Sequence, residues 1–404
     1  MDVTRAPTQP DSRGLAALSA GLARCLAEEN ADSNLVFSPL SIYAALALLA
    51  AGARGATLDE ILRVVGARSR GELKEFVSRV AGDALKDQSD SDGPRIAFAC
   101  GIWSELTCPL KPAFREAAVG TYKAEASSVD FINTPEVARD QINEWVAHAT
   151  SNLIRSVFGP GSITPLTRVV LGNAVYFKGK WVEPFDRSYT RTKLFHRLDG
   201  GTVDVPFMQS WDRQFIAVHE GFKVLKLGYQ MAQAQCYAKT SFSMCIFLPD
   251  ARDGLSNLVD MIASQPGFLH EHLPKKMMDV NEFRVPKFKL SFESNVVTIL
   301  KKLGLKLPFG DQANLSDMAE RDESGLPLFV NKVMHKAVIE VNEEGIEAAA
   351  VSIWDMMFGC SFRPRTPPPR VDFVADHLFA YFIVEETTGA VVFGGNVIDP
   401  SKVN

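Results

Sequence analysis

The segment around residues 336–353 most constrains what this chain can fold into. It starts with a strand-like run in which Ala337, Ile339 and Val341 share one face, as the two-residue period of a β-strand requires. After that run, the side chains beyond Glu347 are small and uncharged, so they can lie in solvent or be buried between strands. A segment that suits both states is a candidate for a switch driven by strand addition. The residues of this candidate switch are Glu343, Glu344, Gly345, Ile346, Glu347, Ala348, Ala349, Ala350 and Val351.

A helix is the alternative for this alanine-rich stretch, because alanine has the highest helix propensity. Against it, Gly345 interrupts the run, and the β-formers Val351, Ile353 and Trp354 follow. Farther on, residues 364–369 contain four prolines, which exclude a helix and favour extended polyproline II conformation. Such a stretch also suits SH3-type recognition, which we keep as a second interpretation. The favoured interpretation is a strand-former leading into an exposed, stiffened loop.

Composition and charge exclude several classes of function. The 404 residues carry a formal net charge of −5, which gives no sign of nucleic-acid binding. No run reaches the roughly 18 apolar residues that a membrane span needs. Residues 1–14 are polar and show no secretory signal peptide. We therefore expect the cytosol or nucleus as the location, with the extracellular space as the alternative.

Motifs for catalysis or metal binding are scarce. The six cysteines form no Cys-x-x-Cys pair and predict buried free thiols instead of a zinc site or a disulfide framework. His270 and His272 are too close in sequence to share a helical face, as a zinc protease would require. The stretch from Gly172 to Lys180 lacks the spacing of a phosphate-binding loop, and no Gly-x-Ser-x-Gly occurs. We expect neither an enzyme nor a metal or other cofactor.

Apolar periodicity predicts a mixture of helices and strands without an internal repeat or linker. The expected architecture is one interwoven α+β domain spanning residues 1–404. The predicted helices are 14–28, 40–51, 139–157 and 295–303, the last ending at Gly304. The predicted strands are 288–292, 336–341 and a buried hairpin of 379–384 with 390–393.

Four signatures occur in order along the chain, at residues 34–57, 171–181, 335–350 and 372–397. The first contains Asn34-Leu35-Val36-Phe37-Ser38-Pro39-Leu40-Ser41-Ile42, and the second contains Leu171-Gly172-Asn173-Ala174-Val175-Tyr176-Phe177-Lys178-Gly179-Lys180-Trp181. The third is the segment described above, and the last contains Phe393-Gly394-Gly395-Asn396-Val397. Over nearly its whole length the chain resembles the serpins, most closely the Z-type serpins of plants.

The resemblance implies a fold of three β-sheets with eight to nine helices and an exposed reactive-centre loop at about 343–371. It also implies a mechanism of irreversible inhibition. A serine endopeptidase, or a cysteine endopeptidase as a second class, cuts the loop and stays covalently attached as an acyl complex. The loop then inserts into the main sheet as a new strand. A monomer that binds neither nucleic acid nor membrane is expected.

Site residues are carried over by position. Glu343 to Val351 match the hinge of the loop. The polar cluster under the main sheet, called the shutter, is matched by Ser38, Ser41, Asn173 and His335. The opening at the top of the sheet, called the breach, is matched by Trp181, Lys287 and Glu343. The alternatives are ordinary buried hydrogen bonds for the shutter, core packing for Trp181, and for Lys287 and Glu343 a solvated pair worth under about 1 kcal/mol.

The reactive bond is the least constrained assignment. The usual loop length, counted from Gly345, places it between Gly359 and Cys360. Phe358 would suit a chymotrypsin-like pocket, while Arg363 and Arg365 would suit a trypsin-like pocket but lie four and six residues beyond Gly359. In addition, Ile346 replaces the usual threonine at the first inserting position, and Trp354 is bulky for burial. These departures support a second hypothesis, a non-inhibitory serpin that acts as a binding or storage protein.

Overall fold

A computed structural model describes residues 13–231, 240–265, 267–321, 327–344 and 369–403. The hinge from Gly345 to Val351 and all candidate reactive bonds lie outside these residues. The described part is built of helices that cover three β-sheets, as the resemblance implied.

The described residues form nine continuous helices. One of them, residues 70–84, consists of an α-helical segment, a π-helical segment at Val77–Ala81 and a short second α-helical segment. Proline begins three of them, at Pro39, Pro112 and Pro135, where its missing amide hydrogen costs no helical hydrogen bond. The helices are α1 (Arg13–Glu29), α2 (Pro39–Gly52), α3 (Gly55–Val65), α4 (Arg70–Phe76), α5 (Gly82–Ala84), α6 (Pro112–Gly120), α7 (Pro135–Ala149), α8 (Leu255–Ser264), α9 (Phe268–Glu271) and α10 (Val297–Lys302).

The described strands are numbered in chain order. They are β1 (Leu35–Phe37), β2 (Arg95–Glu105), β3 (Glu125–Val129), β4 (Val169–Lys178), β5 (Arg191–His196), β6 (Thr202–Gln209), β7 (Gln214–His219), β8 (Phe222–Gly228), β9 (Phe242–Pro249), β10 (Met277–Pro286), β11 (Phe288–Asn295), β12 (Val330–Val341), β13 (Arg370–Val374), β14 (Phe379–Glu385) and β15 (Val391–Val397).

The main sheet has five strands in the order β11-β12-β4-β2-β3. At its centre β4 and β12 are parallel neighbours, paired from Val169 with Val330 to Lys178 with Glu340. Each has an antiparallel neighbour on its other side, β2 beside β4 and β11 beside β12. The described part of the loop segment, up to Glu344, continues directly from the end of β12.

The other ten strands form two further sheets that share the long strand β10. One of them follows the order β1-β15-β14-β9-β8-β7, and β7 joins β10 at Met277 and Met278. The second contains β5, β6 and β13, of which β6 and β13 both pair with β10. Because β13 begins at Arg370, the loop segment connects the main sheet to this second sheet.

Strand β1, near the start of the described residues, pairs with β15, the last described strand. Leu35 pairs with Asn396 in an antiparallel ladder. Beside it, the side-chain amide of Asn34 donates to the carbonyl of Asp399 at 2.7 Å, and its oxygen accepts from the amide of Ile398 at 2.8 Å. One buried side chain therefore ties the residues before β1 to those that follow β15.

Both faces of the main sheet are covered by apolar residues. Ala337, Ile339 and Val341 of β12 point into the largest core cluster, while Met334 and Val338 pack in a separate cluster with residues of α7. Helix α2 is buried nearly all round, as its unbroken apolar sequence predicts. The predicted one-face alternation of 336–341 is therefore confirmed for the inner face. On the outer face Val338 is also buried, while Lys336 and Glu340 stay partly exposed.

The predicted helix at 139–157 is wrong at both ends, since α7 spans Pro135–Ala149. The chain leaves the helix at Ser151 and Asn152, whose φ angles of 50° and 62° are left-handed. Ile154 lies beyond this turn but is buried in the same cluster as Ile142, so its apolar character continued the helical period. The Thr150 hydroxyl donates to Val146 and accepts from the Ile154 amide, which stabilises the turn.

The helix predicted at 295–303 begins two residues later, at Val297. Asn295 still belongs to β11, and its side-chain oxygen accepts from the amides of Val297 and Val333. The helix ends before Gly304 as predicted, and this glycine has a φ of 97° that favours a residue without Cβ. The remaining predicted helices and strands are confirmed within a residue or two of their bounds, apart from β11, β12 and β15, which are longer.

Candidate functional site: the central strand pair and its upper end

The shutter residues meet at the middle of the central strand pair. Asn173 of β4 and His335 of β12 are direct register partners. Ser38 caps α2 by accepting a hydrogen bond from the Ser41 amide. The hydroxyl of Ser41 lies 2.8 Å from Oδ1 of Asn173, and Nδ2 of Asn173 donates back to the Ser41 carbonyl at 3.0 Å. The four residues thus bind the start of α2 to the two strands.

His335 is neutral, and its tautomer follows from its partners. Its Nε2 accepts from the backbone amide of Ser38 at 3.1 Å, so the proton must reside on Nδ1. Nδ1 then donates to Oδ1 of Asn173 at 2.8 Å. Burial lowers the pKa of His335 to about 3, because the charged ring would lose its hydration. Its two ring nitrogens are thus both satisfied across the two strands and the helix.

Cys100 adds a further group to this cluster. It lies on β2 directly opposite Asn173 and is buried. Burial raises the pKa of its thiol to about 12, against a hydrogen bond with Asn173 that acts in the opposite direction. The thiol therefore stays protonated and chemically inert at neutral pH.

The breach residues meet at the upper end of β12. Nζ of Lys287 lies 2.7 Å from one carboxylate oxygen of Glu343, and the Thr190 hydroxyl donates to the other at 2.7 Å. Burial alone would raise the pKa of Glu343, but the hydrogen bonds from Lys287 and Thr190 outweigh it and lower that pKa. Only 6% of the Glu343 side chain is exposed, so the pair is not the solvated one considered above.

Trp181 holds the backbone of the same segment. Its indole Nε1 donates to the carbonyl of Asn342 at 2.7 Å, and its backbone amide donates to the carbonyl of Glu344 at 3.2 Å. The indole stacks on Tyr229 with ring centroids 4.4 Å apart. Gly179 is required beside this stack, because an added Cβ would come within 2.3 Å of the Tyr229 ring. Trp181 therefore does more than pack in the core.

A second set of charges surrounds Glu344. Its carboxylate lies 2.9 Å from Nζ of Lys178 and 3.4 Å from the guanidinium of Arg187. Lys178 also pairs with Glu340 at 3.1 Å, its register partner on β12. Desolvation alone would lower the pKa of Lys178, but its hydrogen bonds to the two carboxylates raise it. The last described residues before the loop are thus held from both sides.

All predicted shutter and breach residues that the structure describes are brought together in these two clusters. Sequence reasoning missed Thr190, Tyr229, Lys178 and Arg187. Thr190 contacts Glu343 across 153 residues of sequence, and no local pattern predicts such a contact. Lys178 could have been found, because it ends β4, Glu340 is the last residue but one of β12, and parallel pairing makes them neighbours.

No group of three or more potential metal ligands occurs among the described residues. Within the same residues, none of the helices has the length and apolarity of a membrane span. Four of the six cysteines, at positions 25, 100, 108 and 245, are described, and all four are buried thiols.

Comparison with known proteins agrees with this geometry. The family model described as serpin (serine protease inhibitor) matches residues 13–400. Rice (Oryza sativa subsp. japonica) serpin-Z8 is 52% identical over 410 residues, covering 96% of each chain. Rice serpin-Z2A is 46% identical, covering 97% of this chain and 98% of the relative.

Among solved structures, Arabidopsis AtSerpin1 in its native stressed conformation superposes with a TM-score of 0.90. It is 38% identical, and the match covers 98% of this chain and 100% of that chain. Family, sequence relatives and fold therefore agree over nearly the whole length: the chain belongs to the serpin family and is similar to its plant Z-type members.

Proposed function

We propose that this protein is an irreversible, single-use inhibitor of serine endopeptidases that acts by inserting its cleaved loop between β4 and β12. Serpins are in general protease inhibitors, and the finer mechanism is our inference for this chain. The observation that carries it is the parallel pairing of β4 with β12, at the centre of the main sheet, with the loop segment attached directly to β12.

Topology makes insertion favourable. A segment that follows β12 and folds back between the two strands runs antiparallel to both, because β4 and β12 are parallel to each other. One parallel ladder is then replaced by two antiparallel ladders, which are slightly more stable per residue. The native protein would therefore be held by a kinetic barrier and would not be at its free-energy minimum.

The shutter and the breach are both placed to contribute to that barrier. Separation of β4 from β12 must break the hydrogen bond between the side chains of His335 and Asn173, which joins the two strands at the middle of the sheet. It must also release the residues that Trp181 and Lys287 hold at the upper end. Both clusters are buried and hydrogen-bonded, so their opening without a compensating strand is costly.

The chemistry belongs to the protease. Its serine oxygen bonds to the carbonyl carbon of the residue before the cut, the peptide C–N bond breaks, and the new amine takes a proton from the catalytic histidine. The acyl ester then awaits water. Insertion of the freed segment would carry the ester and the protease along the sheet before water completes hydrolysis. The product is a covalent complex of one inhibitor monomer and one protease.

Incubation with a panel of chymotrypsin-like, trypsin-like and papain-like proteases tests this proposal. We expect at least one complex that survives boiling in detergent, with mass spectrometry of the released C-terminal fragment identifying the cut. Cleavage of the loop by every protease with full recovery of its activity would contradict the inhibitory function.

The fragment mass also decides the reactive bond. We expect productive complexes to be cut between Phe358 and Cys360, because that position matches the usual loop length. Trypsin-like proteases are expected to cut after Arg365 without a stable complex, since proline follows Arg363 and hinders cleavage there. A stable complex whose fragment begins at Thr366 would overturn this assignment.

A non-inhibitory binding or storage serpin is the second candidate function. Three sequence features favour it: Ile346 at the first inserting position, the bulky Trp354, and Gly359 at the expected bond, which offers no side chain to a protease pocket. In that case the loop is cleaved as a plain substrate, and the main sheet does not accept it. The thermal stability of the cleaved protein separates the two candidates.

A further inference from the structure

Two exposed aromatic rings contact each other beside the breach. Tyr189 and Trp211 lie edge to face, with ring centroids 4.6 Å apart and an interplanar angle of 82°. Tyr189 is 45% exposed and Trp211 is 62% exposed. Tryptophan is strongly buried on average, and the two rings in contact form a small exposed aromatic patch, the kind of surface that is enriched at interaction sites.

Both rings are presented on braced turns. Tyr189 ends the 3-10 turn Arg187–Tyr189, which Asp186 caps by accepting from the Ser188 amide at 2.7 Å. Trp211 lies in a turn where the Ser210 hydroxyl accepts from the Asp212 amide at 3.1 Å. Such rigid aromatic side chains lose little conformational entropy on binding, and they are frequent anchors of protein interfaces.

The pair lies between the two ends of the loop segment. On one side, Arg187 pairs with Glu344 and Thr190 donates to Glu343, the residues from which the loop leaves the main sheet. On the other side, Arg213 pairs with Asp279, whose register partner is Arg370, where the chain enters β13.

From this placement we propose that Tyr189 and Trp211 form a docking surface for the same protease that attacks the loop. The inference rests on the proposed function for the identity of the partner. A protease bound to a loop anchored at Glu344 and Arg370 would face the surface between those anchors. The aromatic pair then supplies contacts outside the protease's active-site cleft, so it would speed association and select among proteases with similar clefts.

The test uses the full chain and a protease of the panel that cleaves its loop, with the protease's nucleophilic serine or cysteine replaced by alanine. This inactive protease can dock but cannot form the acyl bond. Binding is compared for the unaltered chain, Trp211→Ala, Trp211→Phe and Leu166→Ala. Leu166 is 77% exposed and precedes β4 at the opposite end of the sheet, roughly 35 Å away along the strands, which makes it a matched control.

We expect Trp211→Ala to weaken binding about tenfold, as loss of an aromatic anchor does, while Trp211→Phe retains most of the affinity and Leu166→Ala changes nothing. With active protease, Trp211→Ala should lower the second-order rate of loop cleavage or trapping by a similar factor. The fraction of attacks that end in a trapped complex should stay unchanged, because strand insertion follows docking.

Equal binding of Trp211→Ala and the unaltered chain would overturn the inference. So would a concentration-dependent dimer of the unaltered chain that Trp211→Ala abolishes, because a second copy would then cover the rings. Failure of the proposed function looks different: every protease cuts the loop and escapes, yet the binding comparison with the inactive protease still gives its answer.

Discussion

At the scale of single residues, the protonation of His335 bears directly on the stability of the native state. Its pKa is lowered to about 3 by burial, whereas an unfolded histidine titrates near 6.5. Between these values the unfolded chain binds a proton that the native protein does not. The free energy of unfolding should therefore fall as pH decreases below about 6.5, by about 1.4 kcal/mol per pH unit through this residue, and be independent of it above.

The measurement is urea unfolding at pH 7 and pH 4.5 for the unaltered chain and for His335→Gln, which keeps a donor and an acceptor but cannot titrate. The stability lost on acidification should be smaller in the variant by about 2–3 kcal/mol. An NMR titration of the imidazole protons checks the same point without a substitution. A ring that titrates near pH 6 in the folded protein would contradict this account of the shutter.

Lys287 is the residue whose loss should most weaken the breach. Lys287→Met leaves the Glu343 carboxylate, which is only 6% exposed, with Thr190 as its remaining side-chain partner. Lys336→Met is the control. Lys336 of β12 pairs with Glu293 of β11 at 2.8 Å, between the two strands that Glu343 follows and Lys287 precedes, but Glu293 is 32% exposed. We expect Lys287→Met to cost about 1–3 kcal/mol of native stability and the control less than about 1 kcal/mol.

Thermal melting of the two uncleaved variants decides this prediction. Equal losses would mean that Glu343 gains no more from its partner than an exposed pair does. A greater loss for Lys336→Met would place the sensitive contact lower in the sheet, away from the breach.

At the scale of the strand, insertion can be tested by the two-residue period of the inserting segment. Residues Ile346, Ala348 and Ala350 would face inward after insertion, and Ala349 would face solvent. Ala350→Arg would bury an unpaired guanidinium, which costs several kcal/mol, whereas Ala349→Arg would not. Both variants should fold as the native protein, but only Ala350→Arg should become a substrate that releases active protease.

A detergent gel of each variant after reaction with the protease measures the ratio of trapped to released protease, and the comparison of the two variants checks this prediction. Trapping by Ala350→Arg at the level of Ala349→Arg would show that these residues do not enter the sheet with the proposed register. Loss of trapping in both variants would point to the protease's contact with the loop, and not to insertion, as the sensitive step.

The pattern of apolar residues predicted an element well where its burial pattern stays the same along its whole length. It located α1 because the apolar residues of this helix follow a helical period. Continuous apolar runs located α2 and the hairpin of β14 and β15, which are buried on all sides. It failed after Ala149, where Ile154 is buried with α7 although Ser151 and Asn152 have left the helix. The spacing of apolar residues reflects burial and not backbone hydrogen bonding. It therefore cannot reveal a turn after which the chain stays packed against the same core.

The site was predictable only through family resemblance. His335 and Asn173 are 162 residues apart and meet because β4 and β12 are parallel neighbours, a pairing that no local pattern specifies. Thr190 and Tyr229 were missed because single polar or aromatic residues near strand ends occur in many surroundings. Tyr189 and Trp211 were missed for the same reason, since exposure of an aromatic ring depends on the whole fold.

At the scale of the whole molecule, cleavage of the loop should separate the two candidate functions. An inhibitor gains a complete central strand with two antiparallel ladders and the apolar burial that goes with it. Its melting temperature should rise by roughly tens of degrees after cleavage by a protease that escapes. An unchanged melting curve after complete cleavage would favour the binding or storage function.

The closure of β1 by β15 also governs how the chain can be made. Asn34 and its partner Asp399 are 365 residues apart, and ribosomes add roughly 5–20 residues per second. Strand β1 and the apolar helix α2 therefore leave the ribosome roughly 20–70 s before the strand that covers them exists. The core of this protein is completed only after translation has passed Val397, so we expect chaperones that shield the early apolar segments until then to raise its yield in a cell.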